Sequence, residues 1–366
     1  MEEKSKVNTG VARTGIIVSA CRALLNSKFL EMVRDKKITV ENFEIRNHVQ
    51  RVLENGVDLH DTVLNRCYYL DESQVNVYDP YADFFVDTPD SKGIILHISK
   101  ALQPVPEKVN DFLEYIENEP NIVTWSQVMS RSMNLKLAFR TKYIDDMVIK
   151  DSKTFEQIVI LASGLDCRSR RLPIPKSCKV FELDFPEVID FKLKILSIAD
   201  QSIERISQCP ITMIGGNLTR DGWMHDLKDK GFDCTKPTLW MLEGFIMYLP
   251  PTEIDPLFEK IDSLSSSGSK VMVHTITGSE LETCIKNGGS PSSSPKLMGI
   301  QNMEWFYIAN ELISRHENPV KDILEKHHFS KDCTSVTDKE IAKLYKFPKP
   351  DILKTFISRY SIGYKE

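Results

Sequence analysis

The sequence gives no indication of nucleic-acid binding or of a membrane span. Its 366 residues carry a formal net charge of -5, so no overall positive field attracts nucleic acid or an anionic membrane surface. The most apolar N-terminal run, residues 15–25, contains Arg22, has no cleavage-like site and is too short to span a bilayer. We therefore expect a cytoplasmic protein with a small-molecule or protein partner, and the sequence indicates no particular oligomeric state.

The patterns of a metal site and of a dinucleotide-binding turn are also missing. The eight cysteines are scattered, with no CxxC pair and no cluster at zinc-ligand spacing, so we predict reduced thiols and no metal. The adjacent histidines at 327 and 328 stand in a polar stretch and are interpreted as solvated. A complete GxGxxG turn is absent, which disfavours a nicotinamide dehydrogenase because no such turn cradles the pyrophosphate.

The apolar residues divide the chain into two regions. Across residues 1–150 they follow a helical period, as at Ile16, Ala20 and Leu24, which predicts a helical region that folds over the ligand site. Across residues 151–366, short apolar runs alternate with helical segments, which predicts an α/β core with a mostly parallel, doubly wound, Rossmann-like sheet. The candidate strands are 157–162, 179–184, 210–214, 238–242, 269–275 and 354–362.

Residues 278–299 are rich in serine, glycine and proline and bury too little apolar surface to order themselves unaided. We predict a mobile loop after the fifth strand, on the side of the sheet where the carboxyl ends of the strands point. Ligands bind at that edge in open α/β sheets. The loop is therefore interpreted either as a lid or as a plain surface insertion.

The first two predicted strands end in residues suited to a nucleoside. Small residues from Ala162 to Gly164 follow the apolar run 158–161 and allow a ligand to approach the backbone, although a plain turn also explains the glycine. The second strand ends at Asp184, twenty residues after Gly164. A carboxylate at about that distance binds a ribose in nucleotide-binding α/β folds. Glu182 lies on the same face, but Asp184 is nearer the carboxyl end and is favoured.

Polar residues also follow the third and fourth strands. Asn217 and Leu218 come directly after the third, where an amide can accept from an adenine amino group and a leucine can pack on the ring. A plain turn is the alternative for Asn217. Glu243 ends a strand that is otherwise apolar, so its carboxylate needs a ligand ammonium, a protein partner or a shifted pKa.

Arg140 precedes the first strand and is a candidate for bidentate binding of a ligand carboxylate. A surface pairing with Asp145 or Asp146 is the alternative. Together the candidates offer a cation for a carboxylate, an anion for an ammonium, a carboxylate for a ribose and a slot for an adenine. These are the groups of S-adenosyl-L-methionine, which we therefore predict as the cofactor.

Several ordered segments also carry a family resemblance, namely RTGIIVSACRA, FRTKYIDD, VILASGLDCRSRRL, VFELDFPEVIDFK, GGNLTRDGW and PTLWMLEGFIMYLP. They resemble the leucine carboxyl methyltransferase family of S-adenosyl-L-methionine-dependent class I methyltransferases, over residues 10–30 and 75–260. ASGLD and LEGFIMYLP are closer to the branch of uncharacterised and polyketide-type O-methyltransferases than to the phosphatase-methylating branch. The resemblance implies methylation of a carboxylate or hydroxyl on a small molecule. The alternatives are a protein carboxyl methyltransferase for the C-terminal leucine of a phosphatase, or a non-catalytic binding protein that kept the fold.

The resemblance also implies roles for single residues. It assigns Arg140 to the methionine carboxylate and Asp184 to the ribose. It places Asn217 and Leu218 around the adenine and Glu243 beside the methionine portion.

Two positions depart from the family pattern, which often has a glycine where Ala162 stands and an aspartate where Asn217 stands. The extra methyl group and the lost charge bear on cofactor affinity rather than on the fold. For the acceptor side we predict an aromatic wall of Tyr143, Phe245 and Tyr248, since a ring face stabilises a sulfonium cation. Packing in the core is the alternative for these residues. No catalytic residue is identified from the sequence.

Overall fold

The computed structural model describes residues 12–59, 62, 64–101, 122–129, 131–277, 319–350 and 357–366. The loop predicted at 278–299 lies outside these residues. In the described part before the sheet, the α-helices are α1 (Ala12–Arg34), α2 (Phe43–Glu54), α3 (Ala82–Val86), α4 (Pro89–Ala101), α5 (Ile122–Val128) and α6 (Arg131–Asp151). None of the described helices is long and apolar enough to cross a membrane.

A seven-stranded sheet follows these helices. Its strands are β1 (Gln157–Leu161), β2 (Lys179–Asp184), β3 (Ile211–Gly215), β4 (Thr238–Glu243), β5 (Lys270–Thr277), β6 (Lys331–Thr337) and β7 (Ile357–Tyr364). The order across the sheet is β3-β2-β1-β4-β5-β7-β6. Strands β1 to β5 pair in parallel, whereas β7 is antiparallel to both β5 and β6. This order confirms the predicted Rossmann-like, mostly parallel α/β fold.

Further helices connect the strands and cover the sheet. They are α7 (Arg168–Arg171), α8 (Pro186–Ala199), α9 (Gly222–Asp229), α10 (Pro251–Ser263), α11 (Pro319–Lys326) and α12 (Asp338–Leu344). In β1 every residue is buried, which explains its uninterrupted apolar sequence. Ile158 and Ile160 pack with α1 and α6 on one face of the sheet, and Val159 and Leu161 pack with α9 and α10 on the other.

The outer strand β6 is the element that the sequence did not predict. Its segment KDCTSVT is polar and half-exposed, and it forms one edge of the sheet. Polar side chains on an edge strand oppose pairing with other molecules, so an edge strand need not have the apolar pattern of an inner strand. The five parallel strands, by contrast, lie within about two residues of their predicted limits. Of these, β1, β2 and β4 are almost completely buried, which explains their apolar runs, whereas β3 is half-buried at the other edge of the sheet.

The register of the central strands brings the candidate residues to one edge. Leu161 of β1 lies opposite Leu183 of β2 and Leu242 of β4. The residues that follow these positions, Ala162, Asp184 and Glu243, therefore meet at the carboxyl ends of neighbouring strands, where open α/β sheets bind their ligands.

Candidate active site

The turn after β1 and the last residue of β2 form one hydrogen-bonded unit. Gly164 N–H donates to Asp184 Oδ2 at 2.6 Å, and Phe185 N–H donates to Oδ1 at 2.7 Å. Ala162 and Gly164 have φ angles of 52° and 47°, which turn the backbone away from the strand. Burial raises the pKa of Asp184, and the two backbone N–H groups act in the opposite direction. Because a carboxylate oxygen can accept more than one hydrogen bond, Asp184 can still accept from a ligand hydroxyl.

Glu182, the alternative acid on β2, belongs to the interior. Its Oε2 accepts from Lys192 Nζ at 2.6 Å, and both side chains have no exposed surface. Its Oε1 accepts a hydrogen bond from the hydroxyl of Ser169. Of the two acids on this strand, Asp184 is therefore the one that reaches the ligand edge.

A small cavity lies beside Asp184 at the ends of β1, β2 and β3. Its volume is about 40 Å³, which in this conformation holds a few water molecules but not a nucleoside. It is lined by Ala162, Asp184, Phe185, Gly216, Asn217, Leu218, Thr219, Phe245 and Leu249. The residues that the sequence proposed for ribose and adenine are thus brought together around one cavity, which would have to widen to admit both groups.

Asn217 and Leu218 differ in their surroundings within this cavity. Asn217 Oδ1 accepts from the backbone N–H and the hydroxyl of Thr219, both at 3.0 Å. Leu218 is buried, and its carbonyl accepts from Trp223 Nε1 at 3.1 Å. The amide oxygen thus closes a local turn, and any hydrogen bond from an adenine would share that oxygen with Thr219.

A pair of opposite charges lies at the end of β4. Arg140 Nε is 2.5 Å from Glu243 Oε1, and the side chains are 16% and 11% exposed. The alternative pairing of Arg140 with Asp145 or Asp146 is wrong, because these aspartates bind other groups. Gly244 follows Glu243 with a φ of 65° and leaves room for the arginine.

Arg168 holds Glu243 from the other side. Its Nη1 lies 2.5 Å from both Glu243 Oε2 and Asp166 Oδ2, and its Nε lies 2.7 Å from Asp145 Oδ1. Burial by itself raises the pKa of Glu243, but the charges of Arg168 and Arg140 outweigh burial and hold it well below its usual range. Glu243 is therefore an ionised, doubly paired carboxylate at the ligand edge.

The buried charges continue from there to the first helix. Arg171 donates two hydrogen bonds of 2.7 Å to Asp145 and lies 3.5 Å from Asp79. Arg22 of α1 lies 3.0 Å from Asp79 and donates to the carbonyl of Leu165 at 2.7 Å. Each buried cation thus has a carboxylate partner, as buried charges require. These arginines were not singled out as site residues from the sequence. Arg171 belongs to the charged cluster CRSRRL between two apolar strands, and Arg22 interrupts the apolar run of residues 15–25.

His274 is a further residue that sequence reasoning missed. It lies on β5 opposite Glu243 in the strand register, with its ring centroid 4.8 Å from that of Tyr360. The side chain is 1% exposed, and within the described residues neither ring nitrogen has a hydrogen-bond partner. Burial, assisted by the charge of Arg140, lowers the pKa of His274 well below 6.5, so the imidazole is neutral. The sequence feature that could have indicated His274 is the position of a histidine near the end of the apolar run VMVHT.

The three aromatic candidates are placed at different parts of the site. Tyr143 of α6 is half-buried, with its ring 5.2 Å from that of Tyr360. Phe245 lines the cavity beside Asp184. Tyr248 ends a short 3₁₀ turn, and burial raises its pKa. Tyr143 is thus on the β5 side of Glu243, whereas Phe245 is on the cavity side.

The arrangement can bind a ligand with two opposite charges at one end and a nucleoside at the other. Arg140 and Glu243 supply the charges, Asp184 supplies acceptors for hydroxyl groups, and Leu218 supplies an apolar surface. In the part of the chain that the structure describes, no group of three or more histidine, cysteine, aspartate or glutamate side chains is placed to hold a metal ion.

Comparison with known proteins agrees with this geometry. The family model described as leucine carboxyl methyltransferase matches residues 63–262. A protein of Mycobacterium ulcerans (strain Agy99) is 30% identical over 285 residues, which cover 75% of this chain and 82% of that protein. A protein of Mycobacterium sp. (strain KMS) is 39% identical over 189 residues, which cover 52% of this chain and 58% of that protein. Both are provisionally named S-adenosyl-L-methionine-dependent methyltransferases.

Other matches cover smaller parts or lie at greater distance. The chain spans between 46% and 58% of the length of the first five curated relatives that it matches. Among solved structures, a DUF574 family protein from Streptomyces avermitilis is 10% identical, with a TM-score of 0.44, covering 74% of this chain and 97% of that one.

The strand order and the edge site define a Rossmann-like fold of the class I methyltransferase type. The chain belongs to the leucine carboxyl methyltransferase family, because the family match extends over more than half of its residues. This result confirms the family predicted from the sequence segments. The relatives are named for dependence on S-adenosyl-L-methionine, the cofactor that the sequence predicts for this chain.

Proposed function

We propose that the protein transfers the methyl group of S-adenosyl-L-methionine to an oxygen atom of a small molecule, either a carboxylate or a hydroxyl. The observation that carries the proposal is the Arg140–Glu243 pair, at 2.5 Å, on the same sheet edge as Asp184. The pair complements the carboxylate and the ammonium of a methionine moiety. Strand β1 lies between the strands of Asp184 and Glu243, so Asp184 complements a ribose at a distance of two strand spacings, roughly 9.6 Å.

The other candidate residues complete the site. Asn217 and Leu218 enclose the adenine, and Ala162 and Gly164 bring the backbone close to the cofactor. Tyr143 and Tyr248 contribute to the acceptor pocket, which lies on the side of the methionine moiety away from the adenine. The helices before residue 151 cover this pocket, and residues 151–366 form the cofactor-binding core.

The chain contributes mainly alignment to such a reaction. S-adenosyl-L-methionine supplies a methyl group on a sulfonium, which an ionised carboxylate can accept without a base. Residues held by a buried network keep their positions, and alignment of reacting groups contributes about 7 to 11 kcal/mol in favourable cases. If the acceptor is a hydroxyl, its proton must go to a base, and the candidate is the neutral imidazole of His274, which lies on the strand next to that of Glu243.

Calorimetric titration with S-adenosyl-L-homocysteine tests the cofactor assignment. We expect Asp184→Ala to weaken binding by about 1 to 3 kcal/mol, since hydrogen bonds to a charged group are lost. Asp190→Ala, which removes an exposed aspartate of α8, is the matched control and leaves the affinity unchanged. Equal affinity of the Asp184 variant and the wild type would contradict the ribose role.

Transfer of a labelled methyl group to fractionated cell extract tests the acceptor. Mild alkali releases methanol from a methyl ester but not from an ether, so it separates a carboxylate from a hydroxyl. A synthetic peptide ending in a free leucine carboxylate, compared with its amidated form, tests the alternative of phosphatase methylation. If only the peptide with the free carboxylate is labelled, the acceptor is a protein C-terminus and not a small molecule.

A non-catalytic binding protein is a second candidate, and Ala162 supports it. The residue has a φ of 52°, where an alanine is strained, at a position at which the family often has glycine. Binding of S-adenosyl-L-homocysteine without any methyl transfer to extract would favour this candidate over the enzyme.

A further inference from the structure

Arg140 and Arg168 bind the two oxygens of one carboxylate. Arg140 Nε lies 2.5 Å from Glu243 Oε1, and Arg168 Nη1 lies 2.5 Å from Glu243 Oε2. The proposed function, on which this inference rests, assigns Arg140 to the carboxylate of the methionine moiety. That carboxylate and Glu243 therefore compete for one guanidinium, and cofactor binding must exchange one for the other.

The exchange leaves Glu243 with one arginine from the protein. The Glu243 side chain is only 11% exposed, and a carboxylate at such a depth is costly unless it stays paired. Arg168 is 1% exposed and is held by Asp145 and Asp166 as well as by Glu243, so it cannot move with either ligand charge. It is the fixed cation of the group, whereas Arg140, at 16% exposure, is the accessible one.

We propose that Arg168 is the positioning residue of the cofactor site. It keeps Glu243 ionised and directed at the methionine ammonium while Arg140 leaves Glu243 for the methionine carboxylate. The exchange conserves charge, since one ion pair within the protein becomes two pairs with a zwitterion. A ligand that carries only the carboxylate would remove Arg140 from Glu243 without giving Glu243 a new cation, so the site selects a complete amino-acid tail.

Arg171 provides a matched control for Arg168. It belongs to the same short helix and is 3% exposed, but it binds Asp145 and Asp79 and makes no ion pair with Glu243. Loss of Arg171 removes a buried charge of the same network, with a similar cost to stability. A role of Arg168 in positioning Glu243 is therefore separable from a general role in the fold.

Two ligands measure the proposed role by calorimetry. S-adenosyl-L-homocysteine carries the amino-acid tail, and 5′-methylthioadenosine lacks it but keeps the nucleoside. We expect Arg168→Gln to lower the affinity for the first by about tenfold or more, and for the second by less than about twofold. Arg168→Lys keeps the charge but not the forked geometry, and it should recover part of the loss. Arg171→Gln should leave the ratio of the two affinities at the wild-type value.

Several outcomes would overturn the proposal. Equal losses for both ligands in Arg168→Gln would mean a purely structural role, and an unchanged affinity for S-adenosyl-L-homocysteine would mean no role at the site. Wild-type protein that binds neither ligand contradicts the proposed function itself. Binding of both with a ratio that Arg168→Gln does not move contradicts this inference alone.

A second variant decides the matter if Arg168→Gln does not fold. Glu243→Gln frees Arg140 from its internal partner, so 5′-S-(3-carboxypropyl)-5′-thioadenosine, which has the tail carboxylate but no ammonium, should bind about tenfold more tightly than to the wild type. S-adenosyl-L-homocysteine, which loses its ammonium partner, should bind more weakly. Weaker or equal binding of the carboxylate-only ligand would show that Glu243 does not compete for Arg140.

Discussion

Gly244 lies directly against the guanidinium of Arg140: a Cβ built on this glycine would be 2.9 Å from Arg140 Nη2. Gly244 also has a φ of 65°, which an L-residue with a side chain adopts only with strain. The position therefore needs glycine both for its backbone and for the space that the arginine occupies.

Gly244→Ala should consequently displace Arg140 and weaken binding of S-adenosyl-L-homocysteine, by about 1 to 2 kcal/mol in calorimetry. Gly231→Ala is the matched control, because Gly231 has a φ of 91° but a Cβ added to it would meet no atom within 4 Å. Both variants should lose stability, and only the first should lose affinity. Equal affinity of the two variants for S-adenosyl-L-homocysteine would show that Arg140 does not contribute to cofactor binding.

Ala162→Gly should stabilise the protein. At a φ of 52° an alanine costs about 1 to 2 kcal/mol, whereas the greater freedom of an unfolded glycine costs about 0.5 to 1 kcal/mol. The expected net gain is roughly 0.5 to 1 kcal/mol in the free energy of unfolding, measured by urea denaturation. Ala199→Gly, at a buried position near the end of α8, should instead destabilise. A loss of stability in Ala162→Gly would mean that the alanine methyl group makes contacts worth more than the strain.

Acidification should destabilise the fold partly through His274. The folded pKa of His274 lies well below 6.5, so the unfolded chain takes up a proton as the pH falls through about 6.5 while the folded chain does not. Stability is therefore lost on going from pH 7 towards pH 5. The ring of Tyr360 lies beside the imidazole, and the charges of Arg140 and Arg168 oppose its protonation while that of Glu243 favours it.

His274→Met should reduce this acid sensitivity, measured as the difference in melting temperature between pH 7.5 and about pH 5. His225→Met, which replaces a histidine whose side chain is 77% exposed, should leave the difference close to that of the wild type. An unchanged difference in His274→Met would show that the buried imidazole is not a source of the acid sensitivity.

The buried pair of Glu182 and Lys192 should matter for stability and not for the cofactor. Lys192→Met leaves a carboxylate without its cation in the core and should cost about 3 to 5 kcal/mol in the free energy of unfolding. Combining it with Glu182→Gln removes the charge and should recover much of the loss. The double variant should bind S-adenosyl-L-homocysteine like the wild type, and a large loss of affinity would make Glu182 a candidate for the ribose again.

The sequence predicted the parallel sheet and the family because both depend on local patterns. Runs such as that of β1, Ile158 to Leu161, are apolar at every position because both of their faces are buried. This pattern is typical of the inner strands of a parallel sheet. The edge strand β6 escaped prediction because KDCTSVT has an environment that tolerates polar residues.

The site was predicted less completely, for a physical reason. Asp184 and Glu243 were recognisable because acids at the ends of apolar strands need partners. The roles of Arg22, Arg168 and His274 depend on contacts with residues far away in the chain, such as the one between Arg22 and Asp79. Nothing in the local pattern distinguishes these residues from charged residues of a solvated helix or from a histidine satisfied within the core.

Helix α1 has a consequence for attempts to modify this protein. Its Ile16, Ala20 and Leu24 are completely buried in the same core as Ile158 of β1. Its Arg22 forms an ion pair with the buried Asp79. The helix is thus not an exchangeable part: trimming it to obtain a minimal unit, or replacing it with the helix of a relative, would open the interior and remove one of the two arginines that pair with Asp79. If Tyr143 lines the acceptor pocket as proposed, a different acceptor preference is better sought by replacing that side chain within an intact chain.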